Sequence, residues 1–285
     1  MKVFFGHFIH SLSLDELEIA KGYIVVDDLG IIIDVQRVTD EIEFEEIKQL
    51  YAAHEIITLN KYQFLIPGFI DSHFHAPQIV NLGRGYMLTL LDWLNKYTFP
   101  REAEFKDAAY AKKIYSELVK RLLKHGTTTV SYFSTIHLEA TKILADCMEE
   151  YGQRGYVGKV CMDRNSTDYY VETREECVKD NNELIRYLKN STLVGPIITP
   201  RFAITCTSEL LHSLGEIAEL NNLPIQSHLS ENRREIEFVA ELFPNLSYTQ
   251  VYDEHKLLNE KTIMAHCVHL SQEEMDLFKN RNAGK

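Results

Sequence analysis

Two histidines, His73 and His75, stand two residues apart at the end of an apolar run, Phe69-Ile70-Asp71-Ser72-His73-Phe74-His75. Side chains two apart on a strand point to the same face, so both imidazoles can reach one ion. Two further apolar runs end in the same way, in Gln226-Ser227-His228 and in Met264-Ala265-His266. A single histidine in an apolar strand is ordinarily a core or surface residue, and a His-x-His pair alone is a weak signal. Four imidazoles at three strand ends, with no cysteine among them, describe a cation-binding mouth suited to zinc or iron. His269, three residues beyond His266, is the alternative ligand if the register differs.

The elements that must position these residues fall into two regimes. From Met1 to about Gln63 the pattern is short and β-like, with runs at Lys2–Ile9, Gly22–Val26, Ile31–Arg37 and Glu55–Leu59. Asp27-Asp28-Leu29-Gly30 reads as a hairpin turn, and Thr39–Ala53 as an acidic helix. Residues 1–65 thus form a small β-rich unit, and residues 66–285 a second domain. There, apolar runs at Phe64–His75, Thr127–Phe133, Tyr156–Met162, Val194–Phe202, Pro224–Leu229 and Thr262–Val268 alternate with amphipathic stretches. The helical stretches are Phe105–Lys124, Leu138–Tyr151, Thr173–Leu188, Ser208–Asn221 and Arg233–Leu242, with a last one at Glu273–Lys279. Alternation of this kind implies a parallel sheet. Six βα units in a row favour a (β/α)8 barrel over an open doubly wound sheet, and a barrel carries its chemistry at the C-terminal ends of its strands, where the four histidines lie.

Composition narrows the partners. Lys and Arg number 30 against 42 Asp and Glu, a net charge of −12 that argues against nucleic acid or an anionic membrane surface. Five isolated cysteines with no Cys-x-x-Cys pair fit a reducing cytoplasm better than a disulfide framework. Neither a signal peptide nor an apolar run of membrane-spanning length is present.

The segment Ile66-Pro67-Gly68-Phe69-Ile70-Asp71-Ser72-His73-Phe74-His75 resembles the signature of the amidohydrolase superfamily. Four other segments resemble the guanine deaminase family more narrowly. They are His75-Ala76-Pro77-Gln78, Leu91-Asp92-Trp93-Leu94 with Tyr97-Thr98-Phe99-Pro100, Thr199-Pro200-Arg201-Phe202, and Ser227-His228-Leu229-Ser230-Glu231. The likeness runs from about Gly22 to Ala283. It implies a metal-dependent (β/α)8 barrel beside an N-terminal partial β-sandwich, and the hydrolysis of guanine to xanthine and ammonia. It implies one zinc ion on His73, His75, His228 and His266, because Gly195–Arg201 on the fourth strand lacks the bridging residue of binuclear relatives. Glu231 takes the place of the family's proton shuttle, a general acid–base role. Gln78 and Arg201 would hold the purine edge, Arg201 as a donor to O6, and Phe202 would pack on the ring face.

The family's eighth-strand aspartate falls beyond Lys285, so the resemblance also implies an incomplete barrel of about six of eight βα units. A homodimer is implied for the complete protein. Two other readings stand beside this one: a different aromatic amidohydrolase, such as a chlorohydrolase, and a shortened non-catalytic variant that acts by binding. The cytidine-type zinc deaminases, which carry Pro-Cys-x-x-Cys, are excluded because that motif does not occur.

Overall fold

The computed structural model describes residues 1–284; Lys285, the expected end of the second domain, lies outside the described residues. The chain separates into two compact units, Met1–Gly68 and the residues from Phe69 onward.

The first unit is a mixed five-stranded sheet. Its strands are β1 (Lys2–Ser11), β2 (Leu17–Val26), β3 (Ile32–Arg37), β4 (Glu55–Thr58) and β5 (Phe64–Leu65), with α1 (Glu41–Leu50) between β3 and β4. β1 lies between antiparallel β2 and parallel β4, and β5 pairs with its far end. The hairpin turn forms at Asp27, whose carboxylate accepts from the backbone N–H groups of Leu29 and Ile31. Val3, Phe5, Tyr23 and Val25 pack with Phe44 of α1 to make the core of this unit.

The second unit holds six successive βα units. Its first strand, β6 (Phe69–His75), leads through a 3-10 turn (Ala76–Asn81) to two short helices, α2 (Leu90–Trp93) and α3 (Phe99–Ala103). There follow α4 (Ala108–Lys124), β7 (Thr127–Phe133), α5 (Leu138–Tyr151), β8 (Arg154–Gly158), β9 (Val160–Cys161) and α6 (Arg174–Tyr187). The remaining elements are β10 (Val194–Pro196), β11 (Thr199–Pro200), α7 (Ser208–Asn221), β12 (Ile225–Leu229), α8 (Arg233–Leu242), α9 (Tyr248–Glu254), β13 (Thr262–His266) and α10 (Gln272–Arg281).

Among the described residues all pairings in this unit are parallel, and the strand order follows the chain once β8 with β9, and β10 with β11, are each taken as one interrupted strand. The order runs β6, β7, β8, β10, with β9 pairing β11 as a continuation of the same two strands. A bridge from Ile198 to Ile225 carries the order on to β12, which pairs with β13. A further parallel bridge joins Ile263 to Gly284. This is the α/β arrangement of a TIM-type fold. Leu118 and Val119 of α4 and Leu144 of α5 close over Val130, Tyr132 and Val157 of β7 and β8. No helix among the described residues is long and apolar enough to cross a membrane.

Several elements differ from the sequence reading. The run Phe64–His75 is two strands, because Pro67 has no N–H to donate and Gly68 follows it; Phe64–Leu65 joins the first unit. Val194–Phe202 and Tyr156–Met162 are likewise each broken in two. The helix expected from Phe105 begins at Ala108, where the Asp107 carboxylate accepts from the N–H groups of Ala109 and Tyr110. Helix α9 was not anticipated, although Ser247 and Gln250 form the capping box that announces it. The strands are also less uniformly apolar than expected. Ser131, Thr199 and Gln226 are buried, and Gln226 accepts from Ser131 Oγ at 2.7 Å and donates to Thr199 Oγ1 at 2.9 Å.

Candidate functional site

The ladder between β6 and β7 slips between Asp71 and Phe74, and this irregularity takes in His73 within the strand. Such bulges bend a strand and re-aim its side chains. The backbone N–H of His73 donates to Asp71 Oδ1 at 3.1 Å, which holds the kink. The His73 and His75 rings then stand 5.0 Å apart, centroid to centroid, and nearly perpendicular. His228, at the end of β12, lies 4.9 Å from each of them.

One nitrogen each from His73, His75 and His228 lies within 4.8 Å of the others, and the Nε2 atoms of His75 and His228 are 2.8 Å apart. Phe133, at the end of β7, lies 4.6 to 4.9 Å from all three rings. His266 comes close without joining the group of three. Its ring is 5.6 Å from that of His73 and 5.5 Å from that of His228, and its Nε2 lies 3.4 Å from Glu231 Oε2. The chain reaches this position through strained backbone, for His266 and Cys267 both have positive φ, 73° and 55°. Such conformations are uncommon outside glycine and gather at functional sites.

Burial disfavours the charged form of every one of these imidazoles. It holds His73 down to about 4, helped by the nearby His266. His75 and His228 lie well below the ordinary histidine value for the same first reason, with the neighbouring imidazoles adding to it. His266 is lowered by burial as well. Neutral imidazoles are the form a cation requires. The tautomer of His228 is fixed too. Its Nδ1 must donate to the backbone carbonyl of Arg201, 2.6 Å away, and Nε2 is left with its lone pair toward His75. His75 Nδ1 is buried without a partner. The donor set therefore fits one divalent ion of borderline softness.

Beside the histidines lies a cavity of about 300 Å³, lined by Gln78, Leu90, Trp93, Leu94, Arg201, Phe202 and Glu231 together with the four histidines. Gln78 hangs from the 3-10 turn after β6, with Pro77 at its second position. Arg201 follows β11 and is only 2% exposed. Glu231 sits between β12 and the Asn232 cap of α8; burial raises its pKa, and Arg201 opposes the rise. Phe202 is buried, its ring 6.5 Å from that of His228. Trp93 lines the cavity and donates from Nε1 to the carbonyl of Arg84 at 2.8 Å. Phe99 lies under the Arg201 guanidinium at 4.9 Å.

Sequence reasoning did not single out Phe133, Tyr170 or Glu102. Glu102 is fully buried and accepts from Arg201, Gln78 and Tyr170. A lone acid in Phe99-Pro100-Arg101-Glu102 carries no local signal of that role, because its partners are distant in sequence.

The model of the amidohydrolase family matches residues 64–284. The chain belongs to the amidohydrolase family. Among curated members, a guanine deaminase of Dictyostelium discoideum is 46% identical over 297 residues, spanning 99% of this chain and 65% of its own length. A solved guanine deaminase from C. acetobutylicum, with guanine bound in its active site, is 42% identical with a TM-score of 0.90, over 99% of this chain and 66% of that one. An atrazine chlorohydrolase from Arthrobacter aurescens superposes with a TM-score of 0.83 at 16% identity, over 99% of this chain and 64% of its own, a likeness of fold alone. The chain thus spans a little under two thirds of the length of the curated amidohydrolase it matches at 46% identity.

Proposed function

We propose that this amidohydrolase is a guanine deaminase, hydrolysing guanine to xanthine and ammonia with a single zinc ion. The observation that carries the reading is one cavity in which three neutral imidazoles, a carboxyl of raised pKa, an arginine and a glutamine converge. The 42% identity to a protein that holds guanine at its active site supports the substrate. The chlorohydrolase reading rests on likeness of fold only.

His73, His75 and His228 would hold the ion, with His266 at its edge. Bound there, zinc supplies Lewis acidity and a water of lowered pKa. The protein's own groups do the rest. Arg201 donates to the O6 carbonyl and Gln78 meets the adjoining edge of the base. Phe202 packs against the heterocycle, and Leu90, Trp93 and Leu94 exclude bulk water. Glu231, its pKa raised by burial, would take a proton from the attacking water and pass it to the ring nitrogen beside C2. It would then take the second proton of that oxygen and pass it to the amine that leaves as ammonia.

The same reading takes the six βα units as part of a (β/α)8 barrel, which their sequential strand order supports, and Met1–Gly68 as part of a small β-sandwich. It places the protein in the cytoplasm as a homodimer; the buried free thiols of Cys147, Cys161, Cys177 and Cys206 accord with a reducing compartment. The test is turnover by the whole, zinc-loaded protein. Xanthine and ammonia should appear in equal amounts from guanine. No xanthine, or faster turnover of a chlorinated triazine, would overturn the assignment.

A further inference from the structure

We infer that Glu102 is a positioning residue that fixes the hydrogen-bonding polarity of the base pocket, turning Gln78 and Arg201 into an acceptor and a donor set side by side. This rests on the reading of the cavity as a purine site and adds a residue that lines none of it. Glu102 Oε1 accepts from Gln78 Nε2 at 3.1 Å and from Arg201 Nη2 at 3.1 Å. Its Oε2 accepts from Arg201 Nη1 at 2.5 Å and from the Tyr170 hydroxyl at 2.7 Å. Four donors thus meet a carboxylate that has about four acceptor positions. Glu102 and Tyr170 are fully buried and Arg201 nearly so.

A carboxylate in this ion pair only accepts, so the Gln78 amide must turn its NH2 group toward Glu102. The Gln78 carbonyl is then the group left for a ligand. Arg201 engages Glu102 through both terminal nitrogens, and the face of Phe99 lies 4.9 Å from the guanidinium, so its position is set from two sides. Whatever donors it keeps for the cavity stand beside the Gln78 carbonyl. A donor next to an acceptor complements a lactam edge, a ring N–H beside a C=O. With the base held in that one orientation it opposes an amidine edge, in which a bare ring nitrogen adjoins an amino group and the order of donor and acceptor is reversed. Discrimination therefore originates in a side chain one layer behind the ligand.

Replacing Glu102→Gln keeps the shape but puts an NH2 group where an acceptor stood. Gln78 is then free to reverse, and Arg201 loses one of its two acceptors. In the whole, metal-loaded protein, KM for guanine should rise about tenfold or more, since mismatched buried polar groups discriminate strongly. Turnover at saturation should change less, and metal content should stay as in the wild type. Glu102→Asp, which keeps the charge, should give the smaller KM change. It also serves as the second variant if Glu102→Gln fails to fold. Crystal structures of the variants supply a readout independent of turnover. Displacement of Gln78 and Arg201 from their wild-type positions supports the inference, even if guanine proves not to be the substrate. Gln78 and Arg201 unmoved, KM unchanged, or a loss confined to kcat would overturn it. Absence of guanine turnover in the wild type would overturn the assignment of function alone.

Discussion

The Nδ1 atom of His228 donates to the backbone carbonyl of Arg201 across 2.6 Å. One residue thereby serves two parts of the site, its main chain orienting an imidazole of the histidine group and its side chain lining the cavity. The two roles separate under mutation. Arg201→Ala keeps the carbonyl and removes the guanidinium, so bound metal should be retained in the folded fraction while guanine binding and turnover both fall. Glu102 would also lose its charged partner in a buried setting, a change that typically costs about 3–5 kcal/mol. Elemental analysis, steady-state kinetics and a urea melt read these three outcomes.

His73 and His75 replaced together by Ala should abolish metal binding. The two contribute most of the convergent donors, and a single remaining imidazole of the three does not make a zinc site. Elemental analysis of the folded protein should find up to one zinc per chain in the wild type and none in the double variant. Unchanged zinc content would show that the ion sits elsewhere.

Glu231→Gln should retain guanine binding and lose turnover. The amide preserves shape and hydrogen bonding but carries no labile proton, and general acid–base groups contribute about 10²–10⁴-fold. Near-wild-type kcat in this variant would assign the proton transfer to another residue.

Lowered imidazole pKa values make a statement about stability. In protein stripped of metal by a chelator, His73, His75 and His228 stay neutral at a pH where the unfolded chain takes up protons. Their contribution is complete above the ordinary histidine value of about 6.5 and is lost as pH falls toward about 4, the folded value of His73. At pH 5.5 His73 alone costs about 1 kcal/mol relative to pH 7.5, and His75 and His228 act in the same direction. Thermal melts of the chelated protein at these two pH values should show a lower Tm at the acid one. Replacing His73 and His75 with Ala should reduce that difference.

The parts of the site legible in sequence were those carried by periodicity. His75, His228 and His266 each close an apolar run, and the strand ends are where the structure has them. Helices Leu138–Tyr151, Ser208–Asn221 and Arg233–Leu242 have the bounds that their amphipathic spacing predicts. What the sequence hid depended on long-range partners. Arg201 taken alone reads as a surface ion pair, yet it is buried, because Glu102, 99 positions away, balances its charge. The bulge that aims His73 comes from pairing between β6 and β7, and no property of Ser72 or His73 announces it. The break in the run Phe64–His75 was not read from the sequence, although Pro67, with no N–H to donate, carries the signal for it. The breaks elsewhere reflect how far the parallel ladders continue.

Parallel strands that pair only with sequence neighbours can form one after another, each closure spanning a modest loop. The histidine group does not share that locality. His75 and His228 are separated by 153 positions, and their nitrogens meet only once β12 has docked against the strands before it. An ion at this site consequently recognises late-stage assembly and has little to bind in an early intermediate. Metal affinity becomes a reporter of folding progress, and a chelator added during refolding should slow nothing until β12 arrives.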